Sequence, residues 1–171
     1  GEMFGEPSDL HPIQLSAHAY SVHERLVHVP LVVDAPGDDG GTVKEPISLT
    51  GLADLIRSAP EGPDVDAVRG PPALTTAPGL ELNQKDRASQ YVDDLDPYDE
   101  VARAVYELRD DGVVEKHITW GAKSATAELY DADCYRLLRD GRATEAVDAA
   151  LDALGGHAVA AGGGQAGGGV V

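Results

Sequence analysis

"AVYELRDDGVVEKHITWG", residues 104–121, can be read two ways. Asp111-Gly112 stands between two runs rich in Val, Tyr, Ile and Trp, the pattern of a tight β-hairpin. Taken with the "DPYDEVAR" before them, the same residues also fit a helix. That helix would carry Val101, Val105 and Leu108 on one face and end at Gly112 as its C-cap. The hairpin is the preferred reading. "TAELYD" (126–131) then adds a third antiparallel strand. "ATEAVDAALDALGG" (143–156) reads as a helix, with Ala146, Ala150 and Leu154 at i, i+4, i+8 and Gly155 just past its end. Residues 98–155 are thus expected to form a small antiparallel sheet with a helix. Residues 156–171, the body of "GGHAVAAGGGQAGGGVV", are too Gly-rich to hold structure and are expected to be a disordered tail.

Upstream the rhythm differs. Residues 1–12 are polar and turn-rich. From about Ser16 to His28 the spacing of Val22, Leu26 and Val29 predicts a helix with Glu24 and Arg25 facing out. "VPLVVDAP" (29–36) follows as a continuous β-branched run, the signature of a parallel strand buried on both faces, and "PGDDGG" closes it. Ser48 is a plausible N-cap for a helix carrying Leu49, Leu52, Ile56 and Ala59 up to Pro60. Helix, strand and helix in succession is the rhythm of an α/β sheet. Residues 60–97 are the least readable, with one short strand expected within "PPALTTAPG" (71–79).

The chain has 171 residues, enough for one domain or one domain and a tail. It carries 30 acidic against 13 basic side chains, a formal net charge of −17. That balance argues against nucleic-acid binding and against docking on anionic lipid. The acidic residues are spread rather than blocked, which favours a halophilic-type surface over a disordered acidic segment. The single Cys134 excludes an internal disulfide and a Cys-based zinc cluster and is compatible with a reducing compartment, so a cytoplasmic location is expected. No apolar run approaches the ~18 residues of a membrane span.

Four of the six histidines fall between His11 and His28. His18, His23 and His28 are five apart, so on a helix each is rotated about 140° from the last. A helical two-histidine metal site needs i, i+3 or i, i+4, which excludes a three-histidine metal site here.

The order of the pieces adds to this. "GEMFGE", a histidine, "ERLVHVPLVV", a Pro-Gly turn and then "KEPISLTGLADLI" together resemble the sulfatases of the alkaline phosphatase superfamily. Gly1 and Glu2 look like the end of that family's "D-H-G-E" element, and Gly5-Glu6 like the Gly-Glu that follows it. His18 falls at the family's Lys/His position, and "HVPLVV" (28–33) at its core strand. "ISLTGLADL" (47–55) is similar to its "S-L-x-D" helix start, with Gly51 where Asp is usual. More loosely, "RDDGVVEKHITWG" and "AELYD" are similar to the family's closing antiparallel sheet, although the elements that usually follow "LYD" are missing.

The resemblance implies an α/β fold. Residues 1–97 would be the C-terminal part of an alkaline-phosphatase-like mixed or parallel sheet flanked by helices, followed by the small antiparallel sheet. It implies that the Asp and His/Asn metal ligands lie just before Gly1 and that the nucleophile, a Cys or Ser oxidised to formylglycine, lies farther upstream. Neither catalytic nor metal-ligating residues would then be in this chain, and a divalent metal, usually calcium, would be bound by the longer protein. Cys134 cannot be the nucleophile, because "DCYRLL" lacks the family's Pro and Arg. His18 is the residue the resemblance assigns to the substrate, a small-molecule or carbohydrate sulfate ester. A positioned imidazolium can donate to the ester's developing oxyanion near neutral pH. His23 and His28 are read as structural, Trp120 as core, and Glu2 and Glu6 as solvated surface. Two other readings stand beside this one. A phosphodiesterase or phosphonate monoester hydrolase would share the scaffold, and a non-catalytic acidic interaction domain would start at Met3.

Overall fold

The computed structural model describes residues 2–5, 15–18, 20–34, 40–131, 134–138 and 141–154. The expected tail at 156–171 lies outside them. The centre of the molecule is a five-stranded antiparallel sheet in sequential order: β3 (Ala73–Ala77), β4 (Ala102–Leu108), β5 (Val114–Trp120), β6 (Lys123–Asp131) and β7 (Cys134–Leu138). The hairpin reading of 104–121 holds. Asp111 and Gly112 make the turn, with Gly112 at φ 83° and the Asp111 carboxylate accepting from the Val113 N–H. Each Val, Tyr and Ile of the two runs then alternates between the sheet's faces. "TAELYD" supplies the third strand and "ALTTA" an edge strand, β3, whose Leu74 lies opposite Val105. The sheet therefore draws on residues from both sides of position 97.

One face holds Ala77, Ala102, Ala104, Ile118 and Trp120, packed with Val22. Small residues on β4 leave room for Tyr98 and Trp120 to meet in a tilted arrangement, with ring centroids 6.1 Å apart. On the opposite face lies α5 (Ala143–Ala153), which buries Ala143, Val147 and Ala150 against Val105. The helix forms where expected, but its buried stripe is 143, 147 and 150 rather than 146, 150 and 154. Val147 takes the core position against Val105, leaving Ala146 only partly buried beside it.

A second core joins β1 (Met3–Phe4) and β2 (Ser16–Ala17) to α4 (Leu82–Ala88), with Met3, Leu15, Ala17, Tyr20, Leu80 and Ala88 buried together. The helix predicted from Ser16 to His28 reduces to α1 (Glu24–Val27). Two constraints shorten it. Ser16 and Ala17 are paired with Phe4 and Met3, and the residue before Pro30 is driven out of the helical region. Ser48 caps as predicted, with its Oγ 3.3 Å from the Thr50 N–H, and starts a 3-10 turn (Leu49–Gly51) that runs into α2 (Leu52–Ser58). Leu55 rather than Ile56 is the buried residue there, because α2 packs on α3 (Asp66–Arg69) along that side.

Of the run at 29–36, expected as a buried parallel strand, the described residues 29–34 pair with no described strand. With Tyr106, Val114 and Leu129 of the sheet, residues 29–33 line a cleft of about 1030 Å³. Val29, Leu31 and Val32 are exposed, Val32 at 87%. A strand of this type needs neighbours on both edges to satisfy its backbone. Among the described residues none lies alongside it.

Candidate functional site

His18 stands at the end of β2, and the pairing of β2 with β1 brings it back to Glu2. Met3 is opposite Ala17, so residue 2 and residue 18 are neighbours although far apart in sequence. His18 Nδ1 lies 3.4 Å from Glu2 Oε2, with the imidazole 67% and the carboxylate 45% exposed. A carboxylate at this distance favours a hydrogen on Nδ1 and leaves Nε2 available to a ligand. Gln84 Nε2 donates to the His18 carbonyl at 2.8 Å, and Arg87 donates to that of Ser16 at 2.9 Å.

The other two histidines of the cluster are capping residues. His23 is the N-cap of α1, its Nδ1 accepting from the Arg25 N–H at 3.2 Å, and His28 is the C-cap, its N–H donating to the Glu24 carbonyl. Only residues 24–27 are helical, so the three histidines do not share the one helix on which the spacing argument rested. His11 and Glu6 lie outside the described residues. Trp120 is buried in the sheet as expected.

Gly51 meets a local requirement. A Cβ there would sit 1.7 Å from the Ala67 carbonyl oxygen, where the turn at 48–51 meets α3 and the Ser48 N–H donates to the Val68 carbonyl at 2.9 Å. No side chain fits, Asp included.

Two charged clusters were not legible in the sequence. In the first, the Lys116 ammonium lies 2.5 Å from Glu24 Oε1, with the two side chains 4% and 7% exposed. It also donates to the Val22 carbonyl, and the Tyr106 hydroxyl donates to the same Glu24 oxygen at 2.9 Å. Burial pushes the Lys116 amine below the ordinary lysine range, and Glu24 offsets this only in part. Burial, and then the charge of Glu24, hold the Tyr106 phenol well above its ordinary value. The cluster ties the segment 22–24 to the sheet, and its Glu24 and Tyr106 also line the cleft.

The second cluster lies on the α5 side. Glu107, Glu115 and Glu128 fall in register across β4, β5 and β6, a like-charged row that would repel itself. Arg109 bridges Glu115 at 3.1 Å and Glu128 at 2.6 Å and also pairs with Asp111. Arg142, just ahead of α5, reaches Glu115 at 3.1 Å, and Arg136 pairs with Glu128. Burial raises the Glu115 carboxyl, but the hydrogen bonds and charges of Arg142 and Arg109 outweigh it and hold it below the usual carboxylate range. The Tyr130 hydroxyl and Arg109 hold Glu128 low in the same sense. In the adjacent row His117 is fully buried, its Nδ1 3.0 Å from Thr126 Oγ1.

Among the described residues, no group of three or more His, Cys, Asp or Glu is arranged to hold a metal ion, and no helix is long and apolar enough to cross a membrane. Compared with known protein families, curated proteins and solved structures, the chain matches none. The class the geometry defines is a mixed α/β chain: an antiparallel sheet carrying one helix, and a histidine–carboxylate pair exposed at the end of a two-stranded ribbon.

Proposed function

We infer that this chain is part of a sulfatase-like hydrolase of the alkaline phosphatase superfamily, acting on a small-molecule or carbohydrate sulfate ester, with His18 as the substrate-facing group. The observation that carries the reading is the meeting of His18 with Glu2 across 3.4 Å. On the resemblance, the metal ligands directly precede Gly1. The β1–β2 pairing sets the imidazole beside the residue that follows them, where a substrate group held by such a site would lie. Two further features support it. The antiparallel sheet over 102–131 corresponds to the closing sheet that the resemblance implies. The apolar run at 28–33 is exposed and unpaired, as a core strand of an alkaline-phosphatase-like sheet is when its neighbouring strands are not part of the chain.

The work of this chain's residues is then limited and definite. Glu2 holds the Nδ1 side of the ring. In the imidazolium form, whose Nδ1–H faces Glu2, the Nε2–H donates a hydrogen bond to the ester's leaving oxygen. It gives that oxygen a proton as the upstream nucleophile's bond to sulfur forms and the ester's S–O bond breaks, leaving a neutral ring with its hydrogen on Nδ1. The calcium or other divalent ion implied by the resemblance would be held by residues ahead of Gly1 and would neutralise the sulfate oxygens.

The test is a hydrolysis panel with the protein expressed from its complete reading frame, together with peptide mass spectrometry for formylglycine. Turnover of 4-nitrophenyl sulfate that is lost on chelation and restored by calcium, with a formylglycine peptide present, is the expected result. A preference for a phosphate diester or a phosphonate monoester would reassign the substrate class. Absence of both the modified residue and any ester hydrolysis would overturn the reading.

A further inference from the structure

We propose that Gln84, a residue 66 positions away in sequence, is the positioning residue for His18. This rests on the reading of His18 as the substrate-facing donor. Gln84 is 3% exposed, and both ends of its amide are committed. Oε1 accepts from the Glu81 N–H at 2.9 Å, completing the capping box that starts α4, while Nε2 donates to the His18 carbonyl at 2.8 Å. The partners fix which way the amide faces. A backbone N–H can only donate and a carbonyl can only accept, so turning the amide over would break both bonds.

The helix that carries Gln84 is itself held. The Leu80 N–H donates to Asp99 Oδ1 at 3.0 Å, Lys85 pairs with the same carboxylate, and Ala88 is fully buried among Met3, Leu15 and Ala17. Arg87, one turn further on, takes the Ser16 carbonyl. The backbone on both sides of Ala17 is therefore tied to one helix, while Ala17 pairs with Met3 beside Glu2. An imidazole that is 67% exposed gains little orientation from packing. Its direction comes from the backbone that carries it, and Gln84 sets that backbone at the histidine itself.

The experiment compares the wild type with Gln84→Met, Gln84→Glu and, as a control on an exposed turn just past α4, Gln90→Met. The first readout needs no substrate: nuclear Overhauser contacts between the His18 ring and the Glu2 side chain, with those between Tyr20 and Met3 reporting that the fold is intact. Gln84→Met is expected to lose the His18–Glu2 contacts and keep those of Tyr20. In hydrolysis it should lower kcat about tenfold with KM within about twofold. Gln84→Glu keeps the acceptor for the Glu81 N–H but loses the donor. It should behave like Gln84→Met at neutral pH and recover toward the wild type measured at the same pH on acidification to about pH 4, where a protonated carboxyl donates again. Retained His18–Glu2 contacts and unchanged kcat in Gln84→Met would overturn the proposal, as would an equal loss in Gln90→Met. A wild type without hydrolase activity would sink the functional reading alone, because the ring contacts are measured without it.

Discussion

Replacing Lys116 by Met should remove a large part of the protein's folding stability. The ammonium lies 2.5 Å from Glu24 in a site where both side chains are less than one-tenth exposed. Without it, the Glu24 carboxylate keeps only the Tyr106 hydroxyl as a side-chain partner, and the Val22 carbonyl loses its side-chain donor. Breaking one side of a buried ion pair costs about 3–5 kcal/mol, because the remaining charge is desolvated and uncompensated. Domains of ordinary stability have about 5–15 kcal/mol in all. At about 2–4 °C per kcal/mol for a chain of this size, the melting temperature should fall by roughly 6–20 °C. The double variant Glu24→Leu/Lys116→Met removes both charges and should recover most of the loss, since a buried pair replaced by apolar groups is often neutral. Urea unfolding followed by circular dichroism, in a double-mutant cycle at fixed salt, reads both quantities. A single variant within about 1 kcal/mol of the wild type, or a double variant worse than the sum of the singles, would refute the reasoning. The first outcome would mean that water reaches the pair, and the second that the geometry is not that of an uncompensated charge.

Gly51→Ala should destabilise by about 1–3 kcal/mol in the same unfolding assay, because its Cβ meets the Ala67 carbonyl at 1.7 Å and α2 must move off α3. Arg109→Met should be more damaging at pH 7 than at pH 3. That guanidinium is the main group holding Asp111 low, and it acts after Arg142 on Glu115 and after the Tyr130 hydroxyl on Glu128. Its contribution is therefore present above the unfolded carboxylate range and lost as pH falls through the depressed values. Acid titrations of both proteins, followed by fluorescence of the sole tryptophan, Trp120, measure the difference. With a net charge of −17, the melting temperature should rise between about 0.1 M and 1 M KCl, as the screening length shrinks from about 10 Å to about 3 Å. A flat salt dependence would show that self-repulsion is not a significant part of the balance.

The hairpin was legible because its signal is local: an Asp-Gly pair at the turn and β-branched residues on both sides. Trp120 and the short strand in "PPALTTAPG" could be read for similar reasons. The strand at 134–138 could not, since "CYRLL" has no alternation of its own and is ordered by pairing with β6. Helix α4 was hidden among the breakers of 60–97, although Glu81 and Gln84 carry the three-residue spacing of a capping box. The run at 28–33 has the composition of a buried strand, but the described residues supply no neighbour for it. His18 was singled out by resemblance. Its approach to Glu2 and its tie to Gln84 are products of strand pairing and tertiary packing, which residue spacing does not encode. The same holds for Lys116, whose partner Glu24 is 92 residues away.

The most direct test of the proposed role of His18 is a leaving-group series. Protein from the complete reading frame, wild type and His18→Ala, would be assayed on aryl sulfates of increasing phenol pKa and on an alkyl sulfate. If His18 donates to the leaving oxygen, the variant loses about 10²–10⁴-fold on the poorest leaving groups and much less on 4-nitrophenyl sulfate, whose phenolate needs no proton. A uniform loss across the series, or no loss at all, would contradict it and leave His18 as a surface residue at the end of a ribbon.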